Sequence, residues 1–137
     1  MASSVARVLL DAGVFILVAR SNRMTLALMK LAAGRSVLHV AAHTFAEFYR
    51  GGQQSAREAQ LVKQWRPEII SIAAAEGKLA GELLARSNGD NSMDALVVAA
   101  AALHGIGEIY TSDPTDLRAL RSVLPSGARQ IDIVDVQ

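Results

Sequence analysis

Cysteine is absent from this 137-residue chain, which excludes a disulfide scaffold, a thiolate metal site and a cysteine nucleophile. Any metal must therefore sit on oxygen or imidazole. There is no excess of one charge either: fourteen Lys and Arg face thirteen Asp and Glu, for a net +1. No supercharged surface announces nucleic acid or membrane. The longest uncharged apolar run, Ala95 to Leu103, is about half of the ~20 residues that a membrane span needs. Met1-Ala-Ser-Ser does not read as a signal peptide, so a soluble, cytoplasmic protein is expected. No linker, repeat or low-complexity tract divides the chain. With 51% hydrophobic and 20% charged residues, it reads as one domain spanning residues 1–137.

Strand-like apolar runs stand at Val5–Leu10, Ser36–Val40, Glu68–Ile72, Ile106–Tyr110 and Ile131–Val136. The stretches between them carry helical periodicity. This alternation predicts a three-layer α/β/α fold around a central, mostly parallel sheet of four to five strands. Helices are expected over Ala41–Arg50, Ala73–Ala85 and Ala95–Leu103. Gly34, Gly51-Gly52, Gly89 and Gly105 fall where helices should stop, and Pro67, Pro114 and Pro125 mark turns or helix starts. The helix Arg23–Ala33 is apolar nearly all round, with Met24, Leu26, Leu28, Met29 and Leu31. Either it is buried on several sides or it presents an apolar surface to a partner chain.

The informative residues are acids. Asp11 ends the first strand and Asp113 follows the fourth; in a parallel sheet both face the carboxyl edge, beyond which ligands bind. Asp94 lies in the first turn of the helix opened by Asn91-Ser92, and Glu47 sits mid-helix in Ala41–Arg50. Helix capping is a sufficient structural reason for three of them. Asp113-Pro114-Thr115-Asp116 reads as an N-cap with proline at the first position and an acid at the third, Asp94 would favour the positive end of its helix, and Asp11 could cap a helix beginning near Ala12. Glu47 caps nothing. At ~100° per residue it points roughly 150° from the Phe45, Phe48 and Tyr49 face. Either it lies on a solvated outer face, or His43, Glu47 and Arg50 line a wet cleft.

Four segments then stand in order: Leu9-Leu10-Asp11-Ala12, Ala46-Glu47-Phe48-Tyr49-Arg50-Gly51, Met93-Asp94-Ala95-Leu96-Val97-Val98 with the alanines that follow, and Thr111-Ser112-Asp113-Pro114-Thr115-Asp116-Leu117. Together they resemble the PIN-domain nucleases and, among them, the VapC toxins of bacterial toxin–antitoxin pairs. The resemblance runs essentially end to end. It implies an acidic quartet of Asp11, Glu47, Asp94 and Asp113, with Asp116 as a fifth member and Thr111 as an orienting hydroxyl. Two positions depart from the pattern. Gly13 stands where relatives often carry a small polar residue, so a hydrogen bond beside Asp11 is expected to be missing, and Asn91 replaces an acid found in some relatives.

Gathered carboxylates repel one another unless protons or cations join them. Oxygen ligands without thiolate select Mg²⁺ or Mn²⁺, one or two ions, which can activate water and stabilise charge on a phosphate. Asp11, Asp94 and Asp113 are expected as the main ligands, with Glu47 and Asp116 binding a second ion or positioning water. Arg20, Arg23, Arg50 and Arg86 are candidates for guiding RNA, since the planar guanidinium suits phosphate. The resemblance further implies a small VapB-like antitoxin; helix Arg23–Ala33 would serve its groove or a homodimer interface.

Rival readings fit less well. A dehalogenase-like phosphatase needs an Asp where Gly13 stands. A receiver domain needs a lysine after a late strand, and only Lys30, Lys63 and Lys78 exist. His39, His43 and His104 lack a nucleophile elbow and read as structural. The non-enzymatic alternative is a PIN-like RNA- or protein-binding module with a degenerate site.

Overall fold

Side chains alternate between two faces along the first strand as its period of two requires: Val8 and Leu10 pack in one apolar cluster and Leu9 in another. Both faces of the sheet are therefore covered. The computed structural model describes residues 5–125 and 130–137; Met1-Ala-Ser-Ser lies outside them. The elements are β1 (Ala6–Leu10), α1 (Ala12–Ala19), α2 (Arg23–Ala33), β2 (Ser36–Ala41), a 3₁₀ turn at Ala42–Thr44, α3 (Phe45–Phe48), α4 (Gly52–Trp65), β3 (Glu68–Ile70), α5 (Ala74–Ser87), α6 (Ser92–Leu103), β4 (Glu108–Thr111), α7 (Pro114–Ser122) and β5 (Asp132–Asp135). The strands form one sheet in the order β3-β2-β1-β4-β5, and every pair is parallel.

On one face Leu9, Ile109 and Ile133 meet Leu83 of α5, Ala95–Ala101 of α6, and Leu117 and Leu120 of α7. On the other, Val8, Leu10, Val40 and Tyr110 meet Val14 and Phe15 of α1, Met29 and Ala32 of α2, and Phe48 of α3. The expected three-layer arrangement is thus present. Helix α6 can lie close to the sheet because its buried positions are Ala and Val. All five expected strands form, with small changes at their ends. β3 stops at Ile70 rather than Ile72 because its partner β2 ends at Ala41, opposite Ile70.

Two helical expectations need correction. The helix expected over Ala41–Arg50 is a 3₁₀ turn followed by a single α-turn, since Tyr49 leaves helical geometry at φ −79°, ψ 65°. Ser55 then takes over the broken end: its hydroxyl accepts from the Arg50 N–H at 2.9 Å and donates to the Phe48 carbonyl at 2.6 Å. The glycine pair does not stop a helix but starts α4, with Gly51 and Gly52 both at positive φ. Helix α2 keeps its expected bounds and buries only one side. Thr25, Met29 and Ala32 face inward, while Met24 and Leu31 remain 74% and 54% exposed. Thr25 is the unexpected member, held by its hydroxyl's bond to the Val136 carbonyl at 2.9 Å.

Candidate acidic active site

The sheet order places β1 between β2 and β4, so connections leave β1 and β4 in opposite directions and open a crevice beyond their carboxyl ends. Asp11 is the first residue past β1 and is 8% exposed. One carboxylate oxygen accepts from the Ala12 N–H at 2.9 Å, capping α1, and the other accepts from the Thr111 hydroxyl at 2.9 Å. The same Thr111 oxygen accepts from the Asp113 N–H at 3.1 Å. One buried hydroxyl at the end of β4 thereby ties both strand-end acids together. Burial pushes the Asp11 carboxyl up, against the pull of its Thr111 and Ala12 hydrogen bonds.

Asp94 enters from the other side of the sheet on the first turn of α6. It does not cap that helix: Asn91 does, its side-chain oxygen accepting from the Asp94 N–H at 3.1 Å. Asp113 occupies the N-cap position of α7 but makes no side-chain capping bond. Of the three acids, only Asp11 makes a side-chain capping bond, while Asp94 stands in the first turn of α6 where a negative charge favours the positive end of the helix. Glu47 is brought in by α3, whose Phe48 stacks on Phe15 of α1 with ring centroids 4.8 Å apart. His43 pins the same segment to α6, its Nε2–H donating to the Met93 carbonyl at 2.9 Å. That bond bears out a structural role for His43. His39 and His104 are likewise structural: Arg7 Nε donates to His39 at 3.2 Å, and His104 pairs with Glu76 at 2.8 Å.

Asp11, Glu47, Asp94 and Asp113 line one open cleft of about 250 Å³, together with Ala12, Gly13, Ile16, Asn91 and Ser112. Their charges act on one another. Burial, followed by the nearby charges of Asp11, Asp116, Glu47 and Asp113, pushes the Asp94 carboxyl up to about 7. Glu47 is raised too, by burial and then by Asp11, while Arg50 opposes the shift. Asp116 is exposed and lines a separate hollow beside Asn91, reaching the cleft through its charge. Among the described residues, no three His, Asp or Glu side chains stand ready to enclose a metal ion. The donor chemistry nevertheless suits a hard divalent cation, because the cleft offers several carboxylate oxygens and neither thiolate nor imidazole.

The sequence model of the PIN domain matches residues 8–121, a span that includes all five acids. The chain belongs to the PIN-domain family. No curated protein sequence matches it. Solved structures do, over nearly their full length. A VapBC2 structure from Rickettsia felis bound to a promoter DNA fragment aligns with TM-score 0.68 at 16% identity, over 94% of this chain and 99% of that one. A toxin–antitoxin complex from Klebsiella pneumoniae gives 0.69 at 19%, over 95% and 98%. FitAcB from Neisseria gonorrhoeae gives 0.69 at 16%, over 93% and 96%.

In this PIN domain Gly13 has a steric cause. A β-carbon there would overlap the Ser112 hydroxyl and lie 2.8 Å from its Cβ. Ser112, which also lines the cleft, occupies the space a side chain at position 13 would fill. Gly13→Ser should lower stability by about 1–3 kcal/mol through overpacking, and the exchange Gly13→Ser with Ser112→Gly should recover most of it; thermal unfolding of both variants checks this.

The arginines divide. Arg20 and Arg50 line a second hollow that shares Ile16 and Glu47 with the acidic cleft. Arg23 and Arg86 line neither; Arg86 instead reaches the Val123 carbonyl at 3.4 Å. The PIN domain also buries Glu58, a residue the sequence reading passed over because nothing in its local pattern sets it apart from the charged surface of α4. No described helix is long and apolar enough to cross a membrane.

Proposed function

We propose that this PIN domain is a metal-dependent endoribonuclease toxin of the VapC kind, held inactive by a small VapB-like antitoxin. The observation that carries the reading is that Asp11, Glu47, Asp94 and Asp113, from four separate segments, line one cleft at the carboxyl edge of the sheet, where burial and the neighbouring acids push the Asp94 carboxyl up to about 7. A protein gains no stability from such a cluster, and a site that binds cations does.

Asp11, Asp94 and Asp113 would hold Mg²⁺ or Mn²⁺, with Glu47 and Asp116 serving a second ion or ordering water. A bound ion supplies a more acidic water and neutralises charge growing on the phosphate. Asp11 is the fixed member, since two donors orient its carboxylate before anything binds. Glu47 and Asp94 approach from opposite faces of the sheet, so a phosphodiester laid along the cleft passes between them. Hydrolysis adds hydroxyl to phosphorus and a proton to the departing ribose oxygen. Arg20 and Arg50 sit where they can hold a flanking phosphate. The exposed Met24 and Leu31 of α2 are the apolar surface that the antitoxin or a second copy of the chain would cover; the likeness to the VapBC2 structure from Rickettsia felis supports the antitoxin.

The absence of three closely grouped ligands among the described residues favours the non-cutting alternative, a PIN-like RNA- or protein-binding module. Cleavage assays decide between the two. Purified protein incubated with structured RNA should yield endonucleolytic fragments with Mg²⁺ or Mn²⁺ and none with chelator; intact RNA under every metal condition leaves the binding module.

A further inference from the structure

Beside the acidic cleft, α1, α3 and α4 enclose a hollow of about 310 Å³, lined by Arg20, Arg50, Gln54, Ser55 and Glu58 together with the shared Ile16 and Glu47. The two spaces therefore adjoin across Ile16 and Glu47, and the second is roughly the size of one nucleoside. Its lining is unusual for a surface depression. Glu58 is only 2% exposed, and its Oε2 is buried without a hydrogen-bond partner. Buried carboxylate oxygens are normally satisfied, so an orphaned one needs a reason. Among the described residues no Lys or Arg forms a salt bridge with it. The nearest candidates are engaged elsewhere: Arg20 Nε donates to Gln54 Oε1 at 3.3 Å, and Arg50 Nε donates to the Ala46 carbonyl at 3.2 Å. Among the described residues no hydrogen bond uses the remaining N–H groups of either guanidinium. Burial raises the Glu58 carboxyl above its ordinary value, against the pull of its Gln54 hydrogen bond and of the Arg20 charge, so Oε2 is the oxygen left for a further donor.

We propose that this hollow is the subsite for the nucleotide next to the cleaved phosphate, with Glu58 accepting a hydrogen bond from the exocyclic amino group of its base and Arg20 and Arg50 holding its phosphate. The proposal rests on the nuclease reading for the neighbouring cleft. An ionised carboxylate offers acceptors only, so it suits the amino groups of cytosine, adenine and guanine, as carboxylates do when they read cytosine. Uracil has no amino group, and its one ring donor, N3–H, is flanked by two carbonyls that would face the carboxylate with like polarity. Leaving Glu58 without a donor is costly, which makes such a site discriminating. An antitoxin side chain is the competing occupant. The observations favour RNA because the hollow adjoins the cleft where a phosphate would lie and sets the Arg20 and Arg50 cations beside the Glu58 acceptor, groups that suit the phosphate and the base of a nucleotide.

The test uses full-length protein carrying Asp94→Asn, so that bound RNA stays intact, and fluorescence anisotropy with labelled five-nucleotide RNAs of cytidine, adenosine or uridine. Cytidine or adenosine RNA should bind at least about tenfold tighter than uridine RNA, and adding Glu58→Gln, which brings a donor beside the remaining acceptor, should reduce that preference to about threefold or less. Equal affinity for the three RNAs, or a preference that Glu58→Gln leaves intact, overturns the subsite. So does a Glu58→Gln protein that keeps its RNA preference while losing a co-expressed partner. Cleavage by the unmodified protein separates the two readings: metal-dependent cleavage without base preference removes the subsite alone, and base preference without cleavage removes the nuclease assignment alone.

Discussion

Asp94→Asn should reduce metal-dependent RNA cleavage at least a hundredfold while raising the melting temperature at pH 8. Loss of activity follows from removing a proposed ligand, since even groups that only support a ligand are typically worth 10–100-fold. The gain in stability follows from the sign of the pKa shift. The folded carboxyl titrates at about 7 against 3.8 in its ordinary state. Between those values the native protein holds a proton that the unfolded chain has released, so stability falls as pH rises from about 4 to about 7. Asn carries no charge and escapes this penalty. At ~1.4 kcal/mol per unit, discounted for the partial exposure of the side chain, the gain above pH 7 is about 2 kcal/mol. Losing a negative charge from the first turn of α6 costs roughly 0.5 kcal/mol in return. The cap itself stays, because Asn91 provides it. The net gain amounts to several degrees by thermal unfolding and should vanish below pH 4. Mg²⁺ should stabilise the unmodified protein and leave the variant unmoved. A variant that still cuts, or that melts lower at pH 8, would show that Asp94 is there to support its helix.

Thr111→Val should cost about 2–3 kcal/mol at pH 7 and lower cleavage 10–100-fold, though Thr111 touches no substrate in the proposed reaction. The hydroxyl is fully buried and serves two partners, donating to Asp11 and accepting from the Asp113 N–H. Valine fills the same volume and leaves both unsatisfied. The lost bond favoured the ionised form of a carboxyl already raised by burial, so Asp11 moves further up. The stability loss is accordingly largest at high pH and shrinks as pH falls and Asp11 becomes protonated. Thr111→Ser keeps the hydroxyl and should retain most of the activity. Equal cleavage by the valine and serine variants would remove Thr111 from the site.

Much of the fold was legible because it follows from periodicity. A strand covered on both faces must be mostly apolar where it is covered, as Val8-Leu9-Leu10, Val40-Ala41 and Ile109-Tyr110 are. The misjudged segment was Ala41–Arg50, whose composition suits a helix. What ends α3 at Phe48 is Ser55, seven residues further on, whose hydroxyl takes the place of the next helical turn. No local pattern carries that information. The departure at Gly13 was visible, but its reason was not, since the clash comes from Ser112, almost a hundred residues away.

The amino-acid sequence by itself determined the parallel α/β layering, the strand-end positions of Asp11 and Asp113, and an all-oxygen set of acids, because each depends on residue type and short-range spacing. Only the tertiary structure decided that Glu47 and Asp94, carried on opposite faces of the sheet, line the same cleft as those two. It also decided that Asn91 rather than Asp94 caps α6, and that Glu58 is buried with an oxygen unpaired. These outcomes depend on which distant segments pack together, and electrostatic cost is felt only between groups that packing has brought close.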